Sequence, residues 1–276
     1  HIKALNDFMD SKVCFPNNDI KGGVCFFLWD KDYDDKCSVI THSSNGDRKS
    51  LRFLKEDDCD IYIRDEILIS IMNKVKSQRE RTFDSMVSAR KPYGLEAETM
   101  LSPEKFGLPK FSSEKIAGGY EIFGLGEKMK RTWKYLPKNY PLPKISPCLE
   151  KYKVFIAEAY GCGAIGEVPS TPVLSTPGQL CTETFLEIGP FEVETEATNV
   201  IRYIKTKFFR TLVGIQKQTQ HTTQKVYRFV PVQNFTENSD IRWSEPINSI
   251  DKQLFKKYGL SREEIDFIEN NIQEMK

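Results

Sequence analysis

The string GCGAIG at residues 161–166 has the G-x-G-x-x-G spacing of dinucleotide-binding turns. Such a turn binds a pyrophosphate only when a helix begins within the motif, because the first N–H groups of that helix contact the phosphates. Here Pro169, Pro172 and Pro177 follow directly, and they disfavour a helix. We therefore expect these glycines to form tight turns in a loop rather than a cofactor site.

No other pattern in the sequence predicts a catalytic or metal centre. The string IFGLGEKMK (122–130) is similar to the glycine turn of S-adenosylmethionine sites, but no helix of small residues follows it. His42 and His221 lie in no triad or metal-ligand pattern. The seven cysteines are scattered, without a C-x-x-C pair, which is typical of free thiols in a reducing cytoplasm. No apolar run approaches the length of a membrane span.

Charge is segregated along the chain, and this points to binding rather than catalysis. Residues 128–156 carry eight Lys or Arg against Glu150 alone, and residues 157–196 carry seven acids and no Lys or Arg. Residues 197–236 again carry seven cations, with no acid. The two basic blocks predict a phosphate-binding surface. The alternative is that blocks of opposite sign simply face each other within the fold.

Two polar strings supply side chains suited to nucleic acid. ARKPYG (89–94) combines paired cations, a rigid proline and an aromatic ring, and residues 202–229 combine cations with glutamines and His221. Such side chains can hydrogen-bond phosphates and base edges. The alternative is a solvated helix face and an ordinary polar loop.

The sequence predicts an α+β chain. Strands are expected at 24–29, 37–43, 50–54, 120–124, 153–157, 183–188 and 226–232. Helices are expected from Asp60 to about residue 76, over 194–218, over 249–258 and after Ser261, which forms a capping box with Glu264. The polar run 76–81 marks a domain boundary.

The run VCFFLW (24–29) has no polar alternation, which is typical of a strand buried on both faces. Few residues precede it, so we expect the strands and helices that cover it to lie upstream of residue 1 in a longer protein. We also expect residues 24–29 to pair with 37–43. Without its companions the strand would be covered by self-association or by repacking, since exposing apolar surface costs about 25 cal/mol per Å².

Several strings together resemble one family. DFMDSKVCFPNNDIKGGVCFFLWDKDYDDKCSV, VSARKPYGL, CTETFLEIG, YIKTKFFRTLVGIQKQTQ, YRFVPVQNF and IDKQLFKKYGLSREEIDFIENNI are similar, in this order, to the C-terminal part of Eco57I-like DNA adenine methyltransferases of restriction–modification systems. The resemblance implies a remnant of a Rossmann-like methyltransferase domain (1–78), a target-recognition domain for double-stranded DNA (79–248) and a C-terminal helical segment (249–276). The family's N-P-P-Y and S-adenosylmethionine motifs are absent from these residues, so none of its catalytic or cofactor residues carries over.

The resemblance implies that the parent protein methylates adenine N6 with S-adenosylmethionine, and that this chain docks duplex DNA but is inactive alone. One alternative is a non-catalytic protein-interaction or subunit-assembly module. Another is an intact enzyme whose site matches none of the motifs above. The candidate DNA-binding residues are Arg90, Lys91, Tyr93, Lys130, Arg131, Trp133, Lys205, Arg210, Gln216, Gln220, His221 and Lys225.

Overall fold

The computed structural model describes residues 1–18, 20, 23–43, 46–56 and 59–275. Its mixed α+β content confirms the predicted class. The chain divides into two compact units, His1–Ile71 and Met72–Lys276. The division lies seven residues before the boundary expected at residue 78, and the assignment of a function to each unit stays a prediction.

The first unit contains a four-stranded sheet in the order β2-β1-β3-β4. Its strands are β1 (Ile2–Phe8), β2 (Val24–Trp29), β3 (Cys37–Ser43) and β4 (Gly46–Arg52). The expected pairing of residues 24–29 with 37–43 is wrong. Strand β1 lies between them, antiparallel to β2 and parallel to β3. The strand expected at 50–54 is present as β4, which begins four residues earlier, at Gly46, and ends at Arg52.

One face of this sheet forms a small core. Leu5, Cys37 and Val39 are buried there, and Leu54 and Tyr62 pack against them. The alternate residues of β1 and β3 lie on the opposite face of the sheet and are less buried. The alternating pattern therefore places one side of the sheet against the chain that follows β4.

Strand β2 is exposed, contrary to the expectation of burial on both faces. Phe26 and Trp29 are 60% and 58% exposed, and Phe27 and Leu28 are 56% exposed. The reason is topological: β2 is an edge strand, and its outer edge has no strand neighbour in the described part of the chain. An unpaired, apolar edge is a template for pairing with a further strand.

We expect the 276-residue chain to self-associate through this edge. Replacing Phe27 and Trp29 by lysine should convert the associated chain to a monomer, because edge lysines oppose strand pairing. Sedimentation velocity at micromolar concentration measures this. Leu51→Lys is the control, since Leu51 is also exposed, at 66%, but lies on β4, at the opposite edge of the sheet. A wild-type chain that sediments as a monomer contradicts the prediction.

The second unit contains two three-stranded sheets in the orders β6-β5-β9 and β10-β7-β8. Their strands are β5 (Tyr120–Leu125), β6 (Arg131–Leu136), β7 (Tyr152–Ala157), β8 (Val173–Ser175), β9 (Gln179–Cys181) and β10 (Phe185–Phe191). Phe123, Phe155 and Phe185 lie in one core cluster that joins the two sheets. The strands expected near 120–124, 153–157 and 183–188 are confirmed.

The helices are α1 (Glu66–Ser77), α2 (Glu194–Lys205), α3 (Lys207–Gln216), α4 (Ile247–Lys257) and α5 (Arg262–Asn271). Helix α1 begins six residues later than expected. The single helix expected over 194–218 is two helices, because Thr206 leaves the helical conformation at ψ 148° and caps α3. Its Oγ1 accepts a hydrogen bond from the N–H of Phe209 at 3.1 Å.

The two remaining predictions, a strand at 226–232 and the capping box at Ser261, differ in outcome. The strand expected at 226–232 is wrong, because residues 224–227 form a 3-10 turn in which Val226 and Tyr227 are buried. The capping box of Ser261 and Glu264 is confirmed at the start of α5. In the described ranges, no helix is both long and apolar enough to cross a bilayer.

Candidate nucleic-acid interface

The turn Thr182–Thr184, between β9 and β10, brings together segments that are far apart in the sequence. The N–H of Thr182 donates to the carbonyl of Phe123 at 3.1 Å, and the N–H of Glu183 donates to the carbonyl of Leu95 at 2.9 Å. The carbonyl of Thr184 accepts from the N–H of Glu158 at 2.9 Å. Strand β5, the chain after residue 94 and the end of β7 are therefore fixed to one turn.

Arg90 and Lys91 are held at this turn by a carboxylate. A guanidinium nitrogen of Arg90 lies 3.0 Å from the Glu183 carboxylate, and the Lys91 ammonium lies 3.5 Å from the same oxygen. Lys91 also pairs with Glu96. The other Glu183 oxygen accepts from the N–H of Ala97 at 3.1 Å. Both cations are therefore positioned but neutralised, and a phosphate at this position would compete with Glu183.

Strand β6 places a second group of predicted residues beside the same turn. The Arg131 guanidinium lies 5.2 Å from the centre of the Phe185 ring and donates to the carbonyl of Thr171 at 3.2 Å. The half-buried Trp133 packs on Phe123 at 4.8 Å between ring centres. Lys130 is exposed at the start of β6. Arg131 is thus fixed by a cation–π contact and a hydrogen bond, and its side chain remains exposed at the surface.

The loop after α3 is joined to the same turn through Glu158. The carbonyl of Gln220 accepts from the N–H of Tyr160 at 2.9 Å, and the N–H of Thr222 donates to the carbonyl of Glu158 at 2.7 Å. Nδ1 of His221 lies 3.0 Å from the Glu158 carboxylate. The N–H of Glu158 also donates to Thr184. Glu158 therefore links the turn to the segment of Gln220 and His221, whose side chains are exposed.

We name these six side chains the turn surface: Arg90, Lys91, Lys130, Arg131, Gln220 and His221. They come from three separate parts of the sequence, and they offer guanidinium, ammonium, amide and imidazole groups that can bond phosphates and base edges. Lys225 is exposed in the loop that carries His221, and Gln216 is half-buried at the end of α3. The carboxamide oxygen of Gln216 has no hydrogen-bond partner among the described residues.

Three predicted residues lie elsewhere. Tyr93 is fully buried in the core of the second unit, where it cannot contact DNA. Arg210 is also buried: it donates to the carbonyl of Gly166 at 2.8 Å and to the carbonyl of Gln273. Lys205 lines a cleft near the start of α3 that also holds Asp251. The first two predictions missed because burial depends on tertiary packing, not on local polarity.

The GCGAIG loop binds a carboxylate of this chain. The side chain of Glu167 accepts from the N–H groups of Cys162 at 2.6 Å, Gly163 at 3.1 Å and Ala164 at 3.0 Å, and it pairs with the buried Lys217. Burial opposes ionisation, but these hydrogen bonds outweigh it and lower the pKa of Glu167 to about 2. The expected tight turns are confirmed, since Gly161, Gly163 and Gly166 all have positive φ values.

Gly163 also explains how this loop lies against the loop after α3. Its φ is +101°, and a Cβ there would lie 2.4 Å from the carbonyl oxygen of Gln218. Glycine therefore permits the close approach that supports the segment carrying Gln220 and His221.

Sequence reasoning found the cations of the turn surface but missed the acids that position them. Glu183 and Glu158 stand in the acidic segment 157–196, and no local pattern distinguished them from its other acids. No group of three His, Cys, Asp or Glu side chains in the described residues is arranged to hold a metal ion. The chemistry that this surface offers is hydrogen bonding and charge neutralisation.

No protein-family model matches the sequence. A segment of 43 residues is 49% identical to an uncharacterized adenine-specific methylase of Mycoplasma pneumoniae (strain ATCC 29342 / M129 / Subtype 1). This chain contains a short segment similar to an adenine-specific methylase. The match covers 16% of the chain and 10% of that protein.

Two solved structures align with nearly the whole of this chain at low similarity. One is the type IIG restriction endonuclease BpuSI, with a TM-score of 0.43 and 10% identity, covering 98% of this chain and 42% of that protein. The other is the type IIL restriction–modification enzyme MmeI in complex with DNA, with a TM-score of 0.41 and 11% identity, covering 98% and 45%. The chain spans less than half the length of each of these proteins.

Proposed function

We propose that this chain binds duplex DNA as the target-recognition part of a site-specific DNA adenine-N6 methyltransferase of a restriction–modification system. The observation that carries the proposal is the gathering of the turn surface around Thr182–Thr184 from residues 90–91, 130–131 and 220–221. The segment similar to an adenine-specific methylase supports the parent reaction.

In this proposal the cations of the turn surface neutralise phosphates, and Gln220 and His221 contact bases. Trp133, Gln216 and Lys225 are secondary candidates because they lie on the same elements. Tyr93 and Arg210 take structural roles instead, since both are buried.

The methyl donor and the reacting adenine belong to the proposed upstream domain. A flipped adenine would enter that domain while the present chain holds the duplex. In the GCGAIG loop, the Glu167 carboxylate already accepts from the N–H groups of Cys162, Gly163 and Ala164, which a bound anionic cofactor group would need. We therefore propose that the chain is catalytically inactive alone, and that the edge of β2 is where the sheet of the upstream domain continues.

Two variants with opposite expected effects on DNA affinity test the turn surface. Arg90→Ala combined with Lys91→Ala should weaken binding to mixed-sequence duplex DNA and reduce the slope of log K against log salt by about 1.8, or about 0.9 for each lost phosphate contact. Glu183→Gln keeps an acceptor for the N–H of Ala97 but removes the competing charge, so it should strengthen binding several-fold.

Fluorescence anisotropy over a range of salt concentrations measures both effects. The control is Lys252→Ala combined with Lys256→Ala, which removes two exposed lysines on α4 while preserving helix propensity. Unchanged affinity and slope in both the alanine pair and Glu183→Gln would refute the assignment of this surface.

A protein-interaction module is the second candidate function, and the exposed apolar edge of β2 favours it. In that case the cations of the turn surface would meet acidic protein, and the wild-type chain would show no salt-dependent binding to duplex DNA. The same titration therefore separates the two functions.

A further inference from the structure

The hairpin of β5 and β6 ends in an unusual turn at residues 127–130. The N–H of Lys130 donates to the carbonyl of Glu127 at 3.1 Å, and Lys128 and Met129 between them have φ values of 54° and 58°. This is the conformation of a type I′ turn, in which both central residues are left-handed. Such turns strongly favour Asn-Gly, so a Lys-Met pair holds an unfavourable backbone conformation.

The side chains at this turn are exposed. Met129 is 74% exposed, and it stands between the exposed side chains of Lys128 and Lys130. Neither lysine forms an ion pair with any residue in the described ranges, unlike Arg90 and Lys91. With Glu127 included, the turn carries a net charge of +1. Backbone strain combined with exposed apolar and cationic groups is typical of a functional site.

The shape of the hairpin end limits what it can enter. Strand β9 pairs with β5 only over residues 121–123, whereas β5 and β6 stay paired to Leu125 and Arg131. Beyond Phe123, only β6 pairs with β5 among the described residues. Gly124 and Gly126 are still buried, so the exposed tip of the hairpin is the turn of residues 127–130. The major groove of B-DNA admits a two-stranded ribbon, and the groove is bordered by phosphates that attract lysines.

We propose that the turn of Glu127–Lys130 enters the major groove of duplex DNA, with Lys128 and Lys130 on phosphates and Met129 against the base edges. This inference rests on the proposed function and adds which element enters the groove. The apolar group that the major groove offers to Met129 is the methyl of thymine.

Charge and apolar contact have different signatures in a salt titration. Lys128→Ala combined with Lys130→Ala should reduce the slope of log K against log salt by about 1.8. Met129→Ala should weaken binding about fivefold with the slope unchanged, since it removes apolar contact but no charge. Replacing thymine by uracil in the duplex should weaken binding by the wild type and leave Met129→Ala unaffected.

A variant that favours the fold separates function from stability. Lys128→Asn combined with Met129→Gly supplies the preferred type I′ residues, so we expect the melting temperature to rise by about 3 °C. The same variant should bind duplex DNA more weakly than the wild type. If the turn only connects two strands, the variant gains stability and keeps full affinity, which overturns the inference.

The two proposals fail in different ways. A wild-type chain without salt-dependent DNA binding overturns both. If Arg90→Ala with Lys91→Ala weakens binding but the variants of residues 128–130 bind like the wild type, the proposed DNA binding stands, Lys130 is removed from the turn surface, and the groove-entering turn is wrong. The Lys252→Ala and Lys256→Ala pair again serves as the charge control.

Discussion

Asp251→Ala lowers the free energy of unfolding by about 3 kcal/mol in our expectation, because it leaves two buried donors without acceptors. The Asp251 carboxylate, on α4, accepts from the N–H groups of Lys207 at 3.0 Å and Phe208 at 2.9 Å. These are the first N–H groups of α3, which have no partner within their own helix. Chemical denaturation followed by far-UV circular dichroism measures the loss.

Asp251→Asn is the matched control, since an amide oxygen still accepts one hydrogen bond. We expect it to cost about 1 kcal/mol. An alanine variant as stable as the asparagine variant would contradict this expectation. It would show that water or a shift of α4 provides acceptors for the first N–H groups of α3. Because α3 leads into the loop of Gln220 and His221, the alanine variant should also weaken DNA binding.

The difference in stability between the wild type and Asp251→Asn should depend on pH. Burial raises the pKa of Asp251 from 3.8 to about 6, although the two N–H groups oppose it. A raised folded-state pKa means that this group contributes its stability below pH 3.8 and loses it as pH rises through 6. The stability of the wild type relative to Asp251→Asn should therefore fall between about pH 4 and pH 6.

We expect the chain to unfold cooperatively at about pH 11–12, through its buried tyrosines. Tyr93, Tyr203 and Tyr227 are fully buried, and burial is the main cause that raises the pKa of each above its ordinary value of 10. Their contribution to stability is complete below pH 10 and is lost as pH rises. At pH 11 the three together lose about 4 kcal/mol, a large part of the stability of a typical domain.

Lys153 should increase the stability of the folded chain over part of the same pH range, where the tyrosines decrease it. Burial lowers its pKa to about 8, so its contribution grows as pH rises from 8 to its ordinary value of 10.5 and then stays constant. The steep loss should therefore begin above about pH 10.5. Below that pH the two effects partly cancel.

Absorbance of tyrosinate and far-UV circular dichroism measure the alkaline transition, and they should change together. Tyr227→Phe removes one buried phenol, so its transition should shift to higher pH. Tyrosines that ionise near pH 10 with the helical signal intact would contradict the burial of these side chains.

Features encoded within a few residues were predictable from the sequence. The capping box of Ser261 and Glu264 is a contact over three residues, and it appears as expected at α5. The strands near 120–125 and 152–157 followed from short apolar runs, and the glycines of GCGAIG form the turns that the following prolines implied. In each case the local backbone preference agrees with the fold.

Features that depend on contacts between distant segments were not predictable. Strand pairing placed β1, rather than 37–43, beside β2 and left the aromatic residues of β2 exposed. A single hydroxyl, that of Thr206, divided the long helical pattern into α2 and α3. The polar string around Tyr93 gave no sign that its ring is buried while Arg90 stays at the surface.

Residue types and their local spacing were enough to predict the α+β class, the helices near the C-terminus and the cations that could bind phosphate. Which of the predicted side chains share a surface depends on the three-dimensional packing, because Glu183 holds Arg90 and Glu158 holds His221 through contacts between residues more than 60 apart. Such contacts depend on the packing of whole elements, so residue type and spacing cannot encode them locally.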